Sequence, residues 1–269
     1  MRINTNVNSM RTQEYMRQTQ DKMNTSMNRL SSGKRINSAA DDAAGLAIAT
    51  RMSAKKGGLE MGAKNTQDAM SALRTADSAL GSISNILLRM RDLATQSATG
   101  TNADKDKDSL NLEFTQLTAE INHIADTTNF NGKELLKDGN TTMHIQLSDV
   151  SGDTLDIVSV DGHATAIGID KTIEAAGDAA QAMKDIDKAI EKVAEYRATY
   201  GSELNRLDHN LNNVSSQGIN MGAAASQIQD ADMAKEMSDM TKFKILNEAG
   251  ISMLSQANQT PQMVSKLLQ

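Results

Sequence analysis

The sequence predicts a mainly α-helical protein: an elongated antiparallel helical bundle, or coiled-coil rod, with one small β-hairpin and with termini that form paired amphipathic helices. The 269 residues contain a single proline, Pro261, and aromatic residues make up only 2% of the chain. Long proline-free sequence rich in Ala, Leu and Met favours long helices over β-sandwiches. Apolar residues also recur at alternating spacings of three and four, which is typical of helices that pack against other helices.

The N-terminal segment predicts an amphipathic helix of irregular register. One short apolar series comprises Ile3, Val7 and Met10, and a second, shifted series comprises Met16, Met23, Met27 and Leu30. Ser31-Ser32-Gly33 then predicts the end of this helix, because glycine readily adopts the left-handed conformation of a C-cap. Ser38 and Asp41 have the spacing of a capping box that starts the next helix.

Three central segments predict the helices of the bundle. Their apolar series are Leu73, Ala76, Leu80, Ile83, Leu87, Met90 and Ala94; Leu110, Phe114, Leu117, Ile121 and Ile124; and Met183, Ile186, Ile190, Val193, Tyr200, Leu204, Leu207, Leu211 and Val214. A helix with such a stripe must bury it against other helices to be stable in water. Gly57-Gly58 predicts an interruption before the first of these series.

Residues 138–170 are the one stretch with β-like alternation. Met143, Ile145 and Leu147 alternate with polar residues, and Leu155 and Ile157 follow after an Asp/Gly-rich turn. This pattern predicts a hairpin with a bulge. The hairpin must pack against the helices, because two strands alone are marginally stable. The segment 129–132 has the composition of a further turn.

The C-terminal segment predicts a second amphipathic end helix. Its apolar series begins with Met233, Met237 and Met240 and drifts in register through Leu246 and Leu254. The two ends are either two further bundle helices or helices that pair with each other and with neighbouring chains. Met suits the second arrangement, because its unbranched side chain adapts to several packings. We therefore predict a discontinuous terminal domain, 1–40 with 230–269, and a helical domain, 41–229.

Composition and motifs indicate neither a catalytic site nor a bound cofactor or metal. The chain has no cysteine, and its four histidines lie far apart in the sequence. The run Asp104–Asp108 lacks the glycine and the glutamate of a calcium loop. A net charge of -6 gives no electrostatic support to nucleic-acid binding. The absence of an 18-residue apolar run argues against membrane insertion, and the N-terminal residues have no apolar core of a cleaved signal peptide.

Three stretches resemble bacterial flagellin. They are LSSGKRINSAADDAAGLAIA at 30–49, RMRDLATQSA at 89–98 and DADMAKEM at 230–237. The resemblance implies a structural subunit that polymerises into the flagellar filament for motility, with 1–40 and 230–269 in the inner tube. It also implies an extracellular location after export without a cleaved signal peptide. An export chaperone and a filament cap are implied as partners besides the subunit itself.

The large outer domains of the family are absent from the predicted organisation. Between the second and third central helices there is room only for the hairpin at 138–170. We therefore expect a short-form subunit and a thin, smooth filament.

We predict a polymerisation interface on the two end segments and at one small residue of the stretch 30–49. Gly45 is included because small side chains allow a tight joint at which subunits pack. The complete set is Ile3, Val7, Met10, Met23, Met27, Leu30, Gly45, Met233, Met237, Met240, Leu246 and Leu254.

The resemblance also implies recognition of the monomer by an innate immune receptor of animals. The family's contact residues match Arg89, Leu93 and Glu113 of this sequence. Arg89 and Leu93 are four residues apart and therefore share a helical face. Both lie outside the series of Leu87, Met90 and Ala94, so we expect both to point outward.

Two other functions compete with that of a filament subunit. A hook–filament junction protein shares the terminal regions, but the full ADDAAGLAIA stretch at 40–49 and the RMRDLATQSA stretch at 89–98 favour flagellin. An enzyme requires titratable groups that converge in a pocket, and the sequence shows no such set.

Overall fold

The computed structural model describes residues 6–137, 142–169, 173 and 176–267. Its helices are α1 (Val7–Ser32), α2 (Ala43–Ser97), α3 (Asp104–Thr127), α4 (Ala164–Ile167), α5 (Ala176–Gln229) and α6 (Met233–Leu267). Its strands are β1 (Asn129–Phe130), β2 (Lys133–Glu134), β3 (Thr142–Gln146) and β4 (Thr154–Val158). The chain divides into two compact units, Met1–Ala54 with Asn220–Gln269, and Lys55–Ile219. The predicted mainly helical class with small β elements is confirmed.

The second unit is a bundle of α2, α3 and α5 around an aliphatic core. Helices α2 and α5 run antiparallel, since Asp77 pairs with Arg197 and Asp187 pairs with Arg91, each at 2.8 Å. The predicted apolar series form the core: Leu80, Ile83, Leu87 and Met90 of α2 are all 0% exposed, as are Ile121 of α3 and Ile186 and Leu207 of α5. The heptad interpretation of these helices is therefore confirmed.

The predicted interruption at Gly57-Gly58 is wrong, because α2 continues through both residues. Gly58 and Gly62 instead allow the turn after β3 to approach the helix. A Cβ at Gly62 would lie 2.5 Å from the backbone oxygen of Leu147, and one at Gly58 would lie 2.6 Å from Cβ of Asp149. The amide of Asn65 donates to the Gln146 carbonyl at 3.2 Å and fixes the same contact.

The predicted hairpin is present but shorter and more regular than expected. Strands β3 and β4 pair antiparallel, one residue to one residue, from Thr142 opposite Val158 to Gln146 opposite Thr154. The expected bulge is wrong, since every residue of β3 has a single partner. Leu155 and Ile157 of β4 are buried against the bundle, and the predicted range 138–170 also contains α4. Residues 138–141 and 170 lie outside the described structure.

The predicted turn at 129–132 joins two minimal strands, so residues 138–170 are not the sole β-structure. Phe130 pairs with Lys133 in an antiparallel ladder. Asn131 and Gly132 both have positive φ, 50° and 77°. This conformation is the tight hairpin turn that Asn-Gly favours.

The first unit contains α1, the beginning of α2, the end of α5 and α6. Gly33 ends α1 with a φ of 69°, as predicted, and its N–H donates to the Arg29 carbonyl. The predicted capping box at Ser38 is wrong: α2 begins at Ala43, and Asp42 accepts a hydrogen bond from the Gly45 N–H at 2.9 Å. Asp41 instead accepts from the N–H groups of Asn37 and Ser38. These bonds stabilise the carboxylate and lower the pKa of Asp41.

Candidate assembly interface

Helices α1 and α6 pack against each other in antiparallel orientation. At one end of the pair, the side-chain amide of Asn6 donates to the Ala257 carbonyl at 2.8 Å. At the other end, Arg29 forms an ion pair with Glu236 at 3.3 Å. In between, a Cβ at Gly250 would lie 2.8 Å from Cγ of Met16, so glycine allows the helices to approach closely. The expectation that the two ends pair with each other is confirmed.

Hydrogen bonds at the helix ends mark where α1 begins and ends and where α6 begins. Asn6 caps α1 by accepting from the Ser9 N–H, and Asp232 accepts from the N–H groups of Ala234 and Lys235 at the start of α6. Lys34 and Asp230 form an antiparallel bridge. The Arg35 N–H donates to the Gln229 carbonyl at 2.7 Å. The contacts of Lys34 and Arg35 tie the segment after α1 to the junction between α5 and α6.

Charged side chains concentrate where α1 meets the beginning of α6. A groove of about 570 Å³ there is lined by Lys22, Arg29, Arg35 and Lys235 and by four carboxylates. Glu236 is only 8% exposed and is compensated by Arg29. The cations and anions balance, so the groove itself presents a polar surface.

Outside this groove, large apolar side chains of both helices face solvent. Six predicted interface residues are exposed: Val7 (50%), Met10 (61%), Met27 (50%), Met233 (46%), Met237 (48%) and Leu246 (48%). Met23, Leu30, Met240 and Leu254 are half-buried, and Ile3 lies outside the described residues. Packing of α1 on α6 therefore covers only part of the apolar surface that these helices carry.

The exposed apolar surface is larger than the sequence predicted. Tyr15, Ile245, Ile251 and Met253 are 56–68% exposed on the same two helices. A search for heptad positions omits Tyr15, Ile245 and Ile251, whereas Met253 belongs to the drifting apolar series of the C-terminal segment. Counting apolar residues around the whole helix, without assuming one buried stripe, would have found them.

Gly45 is buried against its own segment of chain. A Cβ there would lie 2.5 Å from Oδ2 of Asp42 and 2.7 Å from Cδ1 of Ile36. The glycine therefore permits the compact start of α2. Its contribution to contacts between subunits stays a prediction.

On the second unit, the structure brings together two of the three predicted receptor residues. Nη2 of Arg89 on α2 lies 2.7 Å from Oε1 of Glu113 on α3, and both side chains are about half exposed. The expectation that Leu93 points outward is wrong, because Leu93 is 1% exposed and belongs to the core. Helix α2 is covered by two helices, α3 and α5, so its buried stripe is wider than a two-position heptad seam.

One histidine of the second unit lies between carboxylates. Nδ1 of His163 is 2.6 Å from Asp161, and Nε2 is 3.5 Å from Asp126. The hydrogen bond to Asp161 raises the pKa of His163 above its ordinary value. Within the described residues, no three His, Cys, Asp or Glu side chains form a group able to hold a metal ion. Over the same part of the chain, the helices are too polar or too short to cross a membrane.

The comparisons with known proteins cover both ends of the chain. The family models described as the bacterial flagellin N-terminal and C-terminal helical regions match residues 3–141 and 183–268. The chain belongs to the bacterial flagellin family. It is 45% identical to the flagellin of Listeria innocua, over 100% of this chain and 99% of that protein. It is 40% identical to the flagellin of Bacillus subtilis, over the full length of both chains.

Solved structures agree with this assignment. The crystal structure of Bacillus cereus flagellin is 53% identical and superposes with a TM-score of 0.52, covering 60% of this chain and 94% of that one. A hook-associated protein structure from Vibrio parahaemolyticus matches with a TM-score of 0.62, but its 16% identity shows a shared fold only.

The family assignment gives the function at the level of the assembly. The chain is a structural subunit of the extracellular bacterial flagellar filament, in a family of structural proteins and not of enzymes. It is a short-form member: its alignment with flagellin A of Vibrio cholerae runs over 375 residues, well beyond the 269 of this chain.

Proposed function

We propose that the exposed apolar face of α1 and α6 is the surface through which copies of the chain pack into the filament. In this proposal, 1–40 and 230–269 form the inner tube, and 41–229 forms the surrounding helical layer. The supporting observation is the exposure of Val7, Met10, Met27, Met233, Met237 and Leu246 on two helices that already pack on each other. Large exposed apolar patches mark interaction sites on proteins.

The test measures the critical concentration for seeded polymerisation by sedimentation. Fully burying a Met side chain contributes about 1.5–3 kcal/mol, so burying the exposed half of Met237 contributes about 0.8–1.5 kcal/mol, and about 1.4 kcal/mol is tenfold in an equilibrium constant. We expect Met237→Ser to raise the critical concentration about threefold to tenfold. Helix content measured by circular dichroism should stay unchanged, because Met237 is 48% exposed in the subunit.

Met61→Ser is the matched control for this experiment. Met61 is 56% exposed and lies on α2 in the second unit. It undergoes the same chemical change, and we expect a smaller effect on polymerisation. Unchanged polymerisation of Met237→Ser would contradict the proposed surface, as would an equal loss in both variants.

The proposal extends to the partners of the subunit. An export chaperone and a filament cap are the partners that the family implies, with export through a secretion channel in place of a cleaved signal peptide. We propose no catalytic activity, since the filament role needs only binding surfaces.

A second proposed role is recognition of the monomer by an innate immune receptor. Arg89 and Glu113 carry this proposal, because they form one exposed charged pair across α2 and α3. Leu88, 49% exposed, and Leu112, 65% exposed, provide apolar surface on the same two helices, in place of the buried Leu93. An exposed Arg beside apolar surface has the character of an interface hot spot.

Receptor signalling by purified monomer tests this second role. We expect Arg89→Ala to lower potency at least about tenfold, since a hot-spot truncation costs about 2 kcal/mol or more. Arg91→Ala is the control: Arg91 is equally exposed but pairs with Asp187 of α5. A dose–response curve for Arg89→Ala that overlays the wild type would remove Arg89 from the proposed site.

A further inference from the structure

A pocket of about 290 Å³ lies between strand β4 and helix α5 in the second unit. Its walls include Ile157, Val158 and Val160 on one side and Tyr196, Tyr200 and Glu203 on the other. The volume is at the small end of the range of ligand pockets. Filament assembly, as proposed above for α1 and α6, makes no use of this pocket.

Glu203 places an unsatisfied carboxylate oxygen at the pocket. Its side chain is 17% exposed, and its Oε1 lies 3.6 Å from Nη1 of Arg206. Its Oε2 is buried and has no hydrogen-bond partner among the described residues. A buried acceptor without a partner is costly, and such groups in folded proteins call for an explanation. A cationic donor in the pocket would satisfy this oxygen once the side chain of Glu203 turns it toward the pocket.

The charge around the pocket is one-sided. Asp156 and Glu195 add two more carboxylates to the lining, which contains no Lys or Arg. Asp156 is engaged by His144, with 2.5 Å between Oδ1 and Nδ1. Glu195 and Glu203, the latter partly neutralised by Arg206 at 3.6 Å, still favour a cationic ligand over a neutral or anionic one, since a cleft lined by one sign of charge concentrates the opposite sign.

Two tyrosine rings complete the wall on α5. Tyr196 and Tyr200 are four residues apart and share one helical face. Tyr196 is half-buried, and Tyr200 is 3% exposed. Burial raises the pKa of Tyr200 to about 12, so its ring is neutral at physiological pH. Neutral aromatic faces attract ammonium groups.

We propose that this pocket binds an alkylammonium group, with the ammonium at the carboxylate of Glu203, whose Oε2 turns toward it, and the aliphatic chain against the apolar residues of β4. The compact ammonium offers three donors, one for the unsatisfied oxygen and others for neighbouring acceptors. A free aliphatic amine and a lysine side chain of another polypeptide share this chemistry.

The probe is n-butylamine, added to the full-length monomer with isotope-labelled tyrosines and followed by NMR. The chain has three tyrosines, so the spectrum is simple. We expect ring signals of Tyr196 and Tyr200 to shift with saturation. Tyr15 lies on α1 with 68% exposure and is an internal control that should not move. Equal shifts with neutral n-butanol would overturn the proposal, because they would show an apolar cavity only.

A second probe distinguishes the two sources of the ammonium. Nα-acetyl-lysine N-methylamide carries the same group on a peptide backbone. Binding of both probes supports a site open to a lysine of another chain. Binding of n-butylamine alone supports a site for free amines, and binding of neither overturns the proposal.

Variants test the role of the carboxylate. Glu203→Gln keeps the shape and removes the charge, so we expect the dissociation constant for n-butylamine to rise at least about tenfold. Glu191→Gln changes an exposed glutamate of the same helix outside the pocket, and its affinity should match the wild type. Tyr196→Leu, at a half-buried position, should also weaken binding. An unchanged affinity in Glu203→Gln would overturn the proposal. The assay uses monomer, so its result does not depend on the assembly surface.

Discussion

The contact between the hairpin and α2 predicts that adding one methyl group at Gly62 destabilises the second unit. Two effects oppose each other in Gly62→Ala. Replacing a mid-helix glycine by alanine stabilises a helix by about 1 kcal/mol. The new Cβ, however, would lie 2.5 Å from the backbone oxygen and 2.9 Å from the carbonyl carbon of Leu147. Backbone atoms cannot rotate away, so the hairpin or the helix must shift.

The magnitudes decide the sign of the change. Overpacking of this kind costs about 1–3 kcal/mol, and the rigid obstacle at Gly62 places it at the upper end. The net expectation is a loss of about 1–2 kcal/mol in the free energy of unfolding after the helix-propensity gain of about 1 kcal/mol is included. For a unit of this size, each kcal/mol lowers the melting temperature by about 2–4 °C.

Gly57→Ala is the matched control, five residues earlier on the same helix. Apart from its chain neighbours and the adjacent backbone of α2 itself, no heavy atom of the described chain lies within 4 Å of a Cβ at Gly57. In Gly57→Ala only the higher helix propensity of alanine acts, so the melting temperature should rise. Thermal unfolding of the two monomeric variants is followed by circular dichroism, and amide exchange reports the hairpin bond from the Leu147 N–H to the Asp153 carbonyl. If Gly62→Ala raises the melting temperature as Gly57→Ala does, the close-packing argument is refuted.

Three further predictions concern single side chains. Leu93→Ala should lower the free energy of unfolding by about 2–5 kcal/mol, measured by urea denaturation, because Leu93 is 1% exposed in the core; a loss below about 0.5 kcal/mol would place it at the surface. Asp161 raises the pKa of His163. The His163–Asp161 pair therefore stabilises the fold fully at pH values below the ordinary histidine pKa of 6.5, and this contribution is lost as pH rises through the pKa of the folded state. His163→Gln should therefore flatten the fall in stability between pH 6 and pH 8 seen in urea titrations, and an unchanged slope would exclude this histidine as its source. Gly33→Ala, at a φ of 69°, should cost about 1 kcal/mol, with Gly33→Asn milder because Asn tolerates the left-handed region; equal melting temperatures of Gly33→Ala and the wild type would contradict the strain.

The sequence was sufficient to predict the helices and the faces they bury. Alternating spacings of three and four report directly which side of a helix is apolar, and the positions from Leu73 to Ala94 are buried as predicted. Turn residues were equally informative at Gly33 and at Asn131-Gly132, because their left-handed conformations have local causes. These predictions depend on interactions within a few residues of sequence.

Predictions that depended on a distant partner failed. Gly57-Gly58 has the composition of a break, but the reason for Gly58 lies at Asp149, far away in sequence. Leu93 lies outside the heptad series and is buried because a third helix covers that side of α2. A periodic pattern reports one apolar stripe and does not report how many neighbours a helix has.

The two units differ in how completely they bury their own apolar residues. In the second unit, the central series are buried within one chain, with Leu80, Ile83, Leu87 and Met90 fully covered. In the first unit, α1 and α6 use one face for each other and leave Met residues such as Met10 and Met237 about half exposed. Irregular register in the sequence is the cause, because a drifting series winds around the helix and cannot be covered by a single partner. Such a helix pair gains most from further copies of itself, which is what a polymerising subunit requires.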